Sequence, residues 1–125
     1  MSDSIVAFVP SRNPGKARSF YEGVLGLVFV SEDPFAVVLS SNGVSVRIAN
    51  VSTVEGFKPA PFTILGWNVD DIRGRVGALS KKGVTFQRYE GMAQDDLGVW
   101  TSASGALVAW FTDPDGNVLS LTQLP

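Results

Sequence analysis

The feature that most constrains this chain is a duplication. Apolar and turn-forming residues pass through the same cycle twice: a strand, a helix, then a run of strands. In the first cycle Ile5, Val6, Phe8 and Val9 mark a strand over residues 4–9. Asn13 is a suitable N-cap and Pro14 suits a first helical position, while Ala17, Phe20, Tyr21, Val24 and Leu25 recur at helical spacing until Gly26. Strands are expected over 27–30, 36–39 and 44–49, separated by Asp33-Pro34 and Ser41-Asn42-Gly43. After a segment at 51–61 containing Gly56, Pro59 and Pro61, the cycle restarts. A strand over 62–69 leads to a helix capped by Asp70 or Asp71, with Ile72, Val76 and Leu79 on one face and Gly83 as its stop. Strands are then expected near 85–88, 99–102, 107–111 and 118–122.

The copies align at their final strands. Asn42-Gly43-Val44-Ser45-Val46-Arg47-Ile48 sits over Asp115-Gly116-Asn117-Val118-Leu119-Ser120-Leu121, which makes Arg47 and Ser120 equivalent. A repeat of this length occurring twice points to a pseudo-symmetric pair, not a solenoid. Helices against one sheet face make the fold class α+β and leave the opposite sheet face free. The expected organisation is one domain over 1–125: module 1 (4–50), linker (51–61) and module 2 (62–123).

Composition narrows function by exclusion. With 45% hydrophobic residues, the 125-residue chain can bury one sizeable core. No apolar run approaches the roughly 18 residues of a membrane span. The start MSDSIVAFVP lacks a basic region followed by a long apolar one, so a cytoplasmic location is expected. Ten basic and 12 acidic residues, spread without runs, offer no stripe for nucleic acid. The absence of both Cys and His removes thiolate nucleophiles, imidazole bases and most borderline metal ligands.

The phrases Phe8-Val9-Pro10, Ala17-Arg18-Ser19-Phe20-Tyr21, Val24-Leu25-Gly26-Leu27 and Ala109-Trp110-Phe111, the last followed by Asp113-Pro114-Asp115-Gly116-Asn117, occur in a telling order and spacing. Together they resemble the glyoxalase, bleomycin-resistance and dioxygenase superfamily, also called vicinal oxygen chelate. The resemblance implies two βαβββ modules forming a curled, cup-shaped mixed sheet with helices on the outer face. It also implies a homodimer, either side by side or by module exchange. The superfamily's metal enzymes take one ligand from the first and last strand of each module. Those positions fall on Val6, Arg47, Ile64 and Ser120, and the last is usually a glutamate in the enzymes. Valine and isoleucine carry no lone pair, serine is a poor ligand, and Arg47 places a positive charge where the cation would sit. Like charges about 4 Å apart repel by roughly 4 kcal/mol at an effective dielectric near 20. No metal and no other cofactor is therefore expected.

Strand alternation sorts the remaining residues by face. Phe8, Arg47, Asn68 and Ser120 are expected on the cup face; a four-residue Asp113-Pro114-Asp115-Gly116 loop would place Phe111 opposite Val118, with Trp100 alongside. Phe111 and Trp100 could stack a flat ligand, and Arg47 could pair with an anionic group. Each has a plainer reading: aromatics in strands usually fill cores, Arg47 usually pairs with a carboxylate, and Asp113 and Asp115 suit a turn. Asp95 and Asp96 fall in a loop that could cover the cup mouth, where a solvated loop is the plainer reading.

The leading functional reading is a metal-free small-molecule-binding protein, of the antibiotic- or xenobiotic-sequestering kind. The alternative is a lyase, isomerase or dioxygenase with a displaced metal site, or a metal-free enzyme using Tyr89, Tyr21 or a carboxylate as acid or base.

Overall fold

The computed structural model describes residues 1–125. The fold is α+β, with each sequence cycle forming its own open four-stranded sheet. The chain divides into two compact units, Met1–Pro59 with Asp113–Asn117 and Ala60–Thr112 with Val118–Pro125.

In the first unit β1 (Val6–Ser11) leads to α1 (Pro14–Arg18), a π-helical segment (Ser19–Val24), β2 (Val28–Glu32), β3 (Ala36–Ser41) and β4 (Val44–Asn50). The strand order is β1-β4-β3-β2, with β1 parallel to β4 and the other pairs antiparallel. Asn13 caps α1 as its sequence suggests, accepting from the Lys16 N–H at 3.1 Å, with Pro14 opening the helix. Alternation then sorts the sheet: Val9, Val46, Ile48, Val37 and Leu39 are buried with Ala17 and Tyr21 of the helical segment. Val6, Phe8, Ser45, Arg47 and Val38 take the other face. A two-residue turn, Asn42-Gly43, joins β3 to β4, and both residues have positive φ (46° and 80°), as a type I′ hairpin turn requires.

The segment Asp113–Asn117 is built into this unit by side chains. The Asp113 N–H donates to the Asn117 carbonyl at 3.0 Å and the Gly116 N–H to the Asp113 carbonyl at 3.0 Å. Pro114, Asp115 and Gly116 therefore form a three-residue loop, with Gly116 at φ 88° in the left-handed position that such loops use. One Asp113 carboxylate oxygen accepts from the Asp115 and Asn117 N–H groups at 2.9 and 3.0 Å. The other accepts from the Tyr21 hydroxyl at 2.7 Å and the Asn117 amide at 2.9 Å. Asn117 also donates to the Pro10 carbonyl at 2.9 Å. Burial first, then the Asp113 charge and hydrogen bond and the Asp115 charge, hold the Tyr21 hydroxyl far above the ordinary tyrosine range.

In the second unit β5 (Thr63–Asn68) leads to α2 (Ile72–Lys81), β6 (Trp100–Thr101), β7 (Leu107–Thr112) and β8 (Val118–Gln123), in the order β5-β8-β7-β6. Asp71 caps α2 through the Gly74 N–H at 3.1 Å, and Ile72, Val76 and Leu79 are buried, as their helical spacing predicts. The expected strand at 85–88 does not form. Phe86 makes one bridge to Phe111 and the Gln87 N–H reaches the Trp110 carbonyl at 2.7 Å, while Trp100 and Thr101 pair with Val108 and Leu107. Two segments share the outer edge of β7, so neither extends far. No helix in the chain is long and apolar enough to cross a membrane.

Candidate functional site

The free face of the second unit's sheet carries a candidate site. Its composition follows from register. Ser120 on β8 is flanked by Gly66 on β5 and Trp110 on β7. The adjacent row runs Asn68, Thr122, Val108, Trp100. On the opposite face Phe111 pairs with Leu119 and Ala109 with Leu121, all four buried against the α2 side.

Phe111 is therefore not where the sequence expectation placed it. It is fully buried, with its ring 5.4 Å from that of Phe86, and Trp110 occupies the free face in its stead. The cause is the turn: the loop holds three residues, not four, because Asp113 and Asn117 close it as a hydrogen-bonded pair. One residue of difference reverses the face of every β7 side chain. The proline and glycine of the Asp-Pro-Asp-Gly-Asn phrase, with aspartate and asparagine at its ends, were the signal that could have found Trp110.

Around Trp110 lies an aromatic groove of about 270 Å³, lined by Phe62, Thr63, Tyr89, Met92, Trp110 and Val118 among others. The Tyr89 ring meets Trp110 edge-on at 5.4 Å, and Trp100 lies 6.1 Å from it with planes 40° apart. Phe62, Met92 and Trp110 were not among the expected site residues. Asn68 and Trp100 stand at opposite edges of their row, three strand spacings or about 14 Å apart, so they do not converge on one small group.

Gln94 fixes the Tyr89 wall. Its amide nitrogen donates to the Gln87 and Gly98 carbonyls at 3.0 and 2.8 Å, and its oxygen accepts from the Tyr89 N–H at 2.8 Å. Asp95, expected in a loop over the cup mouth, ties this segment down. Its carboxylate accepts from the Leu97 and Val99 N–H groups at 2.9 Å each and from Arg73 at 3.0 Å. Partial burial works to raise its pKa, but those hydrogen bonds and the Arg73 charge prevail and hold it below the ordinary carboxylate value.

Ser120 is 8% exposed; the buried side-chain oxygen that lacks a hydrogen-bond partner is Asn117 Oδ1, not the Ser120 hydroxyl. Gly66 beside it cannot carry a side chain freely: a Cβ there would lie 2.7 Å from the Ser120 Oγ. In the first unit Phe8 is 64% exposed and sits directly across from Arg47, which Val38 flanks on its other side. Arg47 is half-buried and forms no ion pair within the chain. Tyr21, one of the acid–base candidates, is fully buried against Asp113 and is a structural anchor.

A sequence profile of the Glyoxalase/Bleomycin resistance protein/Dioxygenase superfamily matches residues 3–121. The chain belongs to this superfamily. Among solved structures, a superfamily member from Sphaerobacter thermophilus is 27% identical, with 98% of each chain covered and a TM-score of 0.78. TnmS3, an antibiotic binding protein from a Streptomyces species, is 21% identical over 100% of this chain and 98% of its own, with a TM-score of 0.73. Lactoylglutathione lyase from Agrobacterium tumefaciens is 13% identical over 98% and 94%, with a TM-score of 0.74. The last two likenesses are of fold alone. No curated protein matches the chain.

The donors present do not suit the superfamily's metal. Val6 pairs with Ser45, Ile64 falls at the register shift between Thr63 and Leu65, and the true strand neighbours of Arg47 and Ser120 are Phe8 and Gly66. None of these side chains is a divalent-ion ligand, and no group of three or more His, Cys, Asp or Glu side chains is assembled anywhere. The residues do not fit the metal, and no chemistry is assigned through one.

Proposed function

We propose that this superfamily member is a metal-free small-molecule-binding protein that sequesters an antibiotic or other foreign organic compound. The observation that carries this reading is the groove around Trp110, where aromatic and apolar side chains converge with no charged residue among them. Small-molecule sites have this character, and about 270 Å³ stands near the lower end of their roughly 300–1,000 Å³ range. Its fold likeness to an antibiotic binding protein agrees with the reading. Ser120, at the position where the superfamily's metal enzymes usually carry a glutamate, points the same way.

We further propose that the two modules act as one domain in the cytoplasm and that the protein is a homodimer. Val6, Phe8, Val28 and Val30 are 45–65% exposed, an apolar surface that a second copy would cover. Sedimentation of the purified protein tests the dimer.

The binding reading is tested by a thermal-shift screen against divalent metals and a library of antibiotics and small aromatics. A compound at 100 times its dissociation constant stabilises by about 2.7 kcal/mol, a shift of several degrees. Stabilisation by organic compounds and not by metals is expected. Stabilisation by a metal alone would overturn the reading and direct attention to enzymatic turnover.

A further inference from the structure

Resting on the small-molecule reading above, we infer that the Trp110 groove is gated: its Tyr89–Met92 wall is a strap held closed by the side chains of Gln94 and Asp95, and release of the Asp95–Arg73 ion pair lets it open.

Tyr89 and Met92 line the groove but belong to no strand, whereas Thr63, Trp110 and Val118 stand on β5, β7 and β8. The backbone bonds of these two residues stay within their own loop. The Met92 N–H donates to the Tyr89 carbonyl at 3.2 Å, and the Met92 carbonyl accepts from the Gln94 N–H at 3.1 Å. One bridge, Gln94 to Trp100, with the Asp95 N–H on the Val99 carbonyl at 2.9 Å, closes the base of the strap. The remaining fastenings are made by side chains.

Gln94 is the positioning residue. It joins the Tyr89 N–H to the Gln87 and Gly98 carbonyls, and the Gln87 N–H is in turn bound to the Trp110 carbonyl, so Gln94 ties Tyr89 to the strand that carries Trp110. Asp95 supplies the release. One of its carboxylate oxygens accepts from the Leu97 and Val99 N–H groups inside the loop, while the other accepts from Nε and Nη2 of Arg73 on α2, each at 3.0 Å. This is the second unit's only ion pair, and it ends on the groove's own loop. Its side chains are 52% and 34% exposed, so dissolved salt reaches it and weakens it. A strap that opens also suits the groove's size, since about 270 Å³ is small for a drug-sized compound.

The test follows amide hydrogen exchange, and cross-relaxation between the Tyr89 and Trp110 rings, by NMR in the unliganded protein. At low salt, wild type should show the ring contact and a protected Tyr89 N–H. At about 1 M sodium chloride, where the screening length is about 3 Å, exchange at the Tyr89 and Val99 N–H groups should rise about two- to fivefold, the worth of an exposed pair. Arg73→Gln should show that rise already at low salt and respond no further to salt. Gln94→Met, similar in length but without the three bonds, should speed Tyr89 exchange about tenfold or more and abolish the ring contact. The buried strand residues Leu119 and Leu121 are the reference: equal acceleration there would mean that the whole unit loosens, which overturns the gate. Unchanged Tyr89 exchange in Arg73→Gln, or a persisting salt response, overturns the role of the ion pair. A ring contact retained in Gln94→Met overturns the strap. Binding is read separately, with 1-methylnaphthalene as the probe and quenching of tryptophan fluorescence as the signal; Arg73→Gln should bind and release it about two- to fivefold faster. If the probe binds neither protein, the small-molecule reading of this groove fails, while the exchange data still decide the strap.

Discussion

Arg47 and Ser120 occupy the same place in the two halves of the repeat and have opposite surroundings. Arg47 lies between Phe8 and Val38, charged and without an ion pair in the chain. Ser120 lies between Gly66 and Trp110, small and nearly buried. The backbone plan is common to both, so the divergence comes from side chains and from the turn that precedes each strand. In the first unit a two-residue turn relies on backbone conformation, with Asn42 and Gly43 both at positive φ. In the second a three-residue loop is held by Asp113, whose carboxylate accepts four hydrogen bonds. Duplication thus preserved the strand order while allowing each turn to choose which side chains reach the free face.

The sharpest way to break that comparison is Asp113→Ala. It leaves the Tyr21 hydroxyl, the Asn117 amide and two backbone N–H groups without their acceptor. A loss of about 3–5 kcal/mol is expected in denaturant unfolding, in the range seen when one member of a buried charged network is removed. A loss under 1 kcal/mol would mean that the loop closes without its aspartate.

Tyr21→Phe removes only one of those bonds and should cost about 1.5–3 kcal/mol, the range for a hydrogen bond to a charged group. It also carries a pH signature. The unfolded chain's tyrosine ionises near its ordinary value of 10.0, whereas burial and Asp113 keep folded Tyr21 protonated well above that. The hydroxyl's contribution is therefore fully present below about pH 10 and declines as pH rises further. Urea midpoints measured from pH 8 to 11 should fall less steeply in Tyr21→Phe than in wild type.

How much of this was legible beforehand depended on the scale of the interaction. The repeat, the helix caps at Asn13 and Asp71, and the sorting of Leu119 and Leu121 away from Ser120 are local patterns, and each holds in the structure. The placement of Phe111 failed because it depended on one residue of loop length, which a side-chain hydrogen bond decides. The strand expected at 85–88 failed because β propensity does not reveal that residues 100–101 compete for the same strand edge. The Tyr89 wall could not be read at all, since it depends on Gln94 reaching across its own loop to Gln87 and Gly98.

Gly66→Ala sharpens the comparison from the Ser120 side. The new methyl would meet the Ser120 Oγ at 2.7 Å and its carbonyl oxygen at 3.3 Å, so a cost of about 1–3 kcal/mol from overpacking is expected. Combined with Ser120→Ala the cost should shrink, because the nearer clash is gone. A double-mutant cycle showing simple additivity would mean that the two residues do not share the space. At the first unit's turn, Gly43→Ala forces a side chain to φ 80° and should cost about 1–2 kcal/mol.

Arg47→Ser gives the first unit the second unit's residue and is expected to have the smallest effect on stability. With no ion pair to lose, the change removes only the packing of the arginine stem between Phe8 and Val38, and a shift within about 1 kcal/mol follows. Measured at dilutions that separate protomers, this value describes the chain alone. Measured at high concentration, it reports in addition on any carboxylate that a second copy brings to Arg47, because breaking a buried charged pair costs about 3–5 kcal/mol. A small effect at both concentrations makes Arg47 a solvated charge. A large effect confined to the concentrated sample assigns it to the dimer, and in that case the two equivalent positions differ in what reaches them, a partner subunit's carboxylate at Arg47 and the chain's own Gly66 and Trp110 at Ser120.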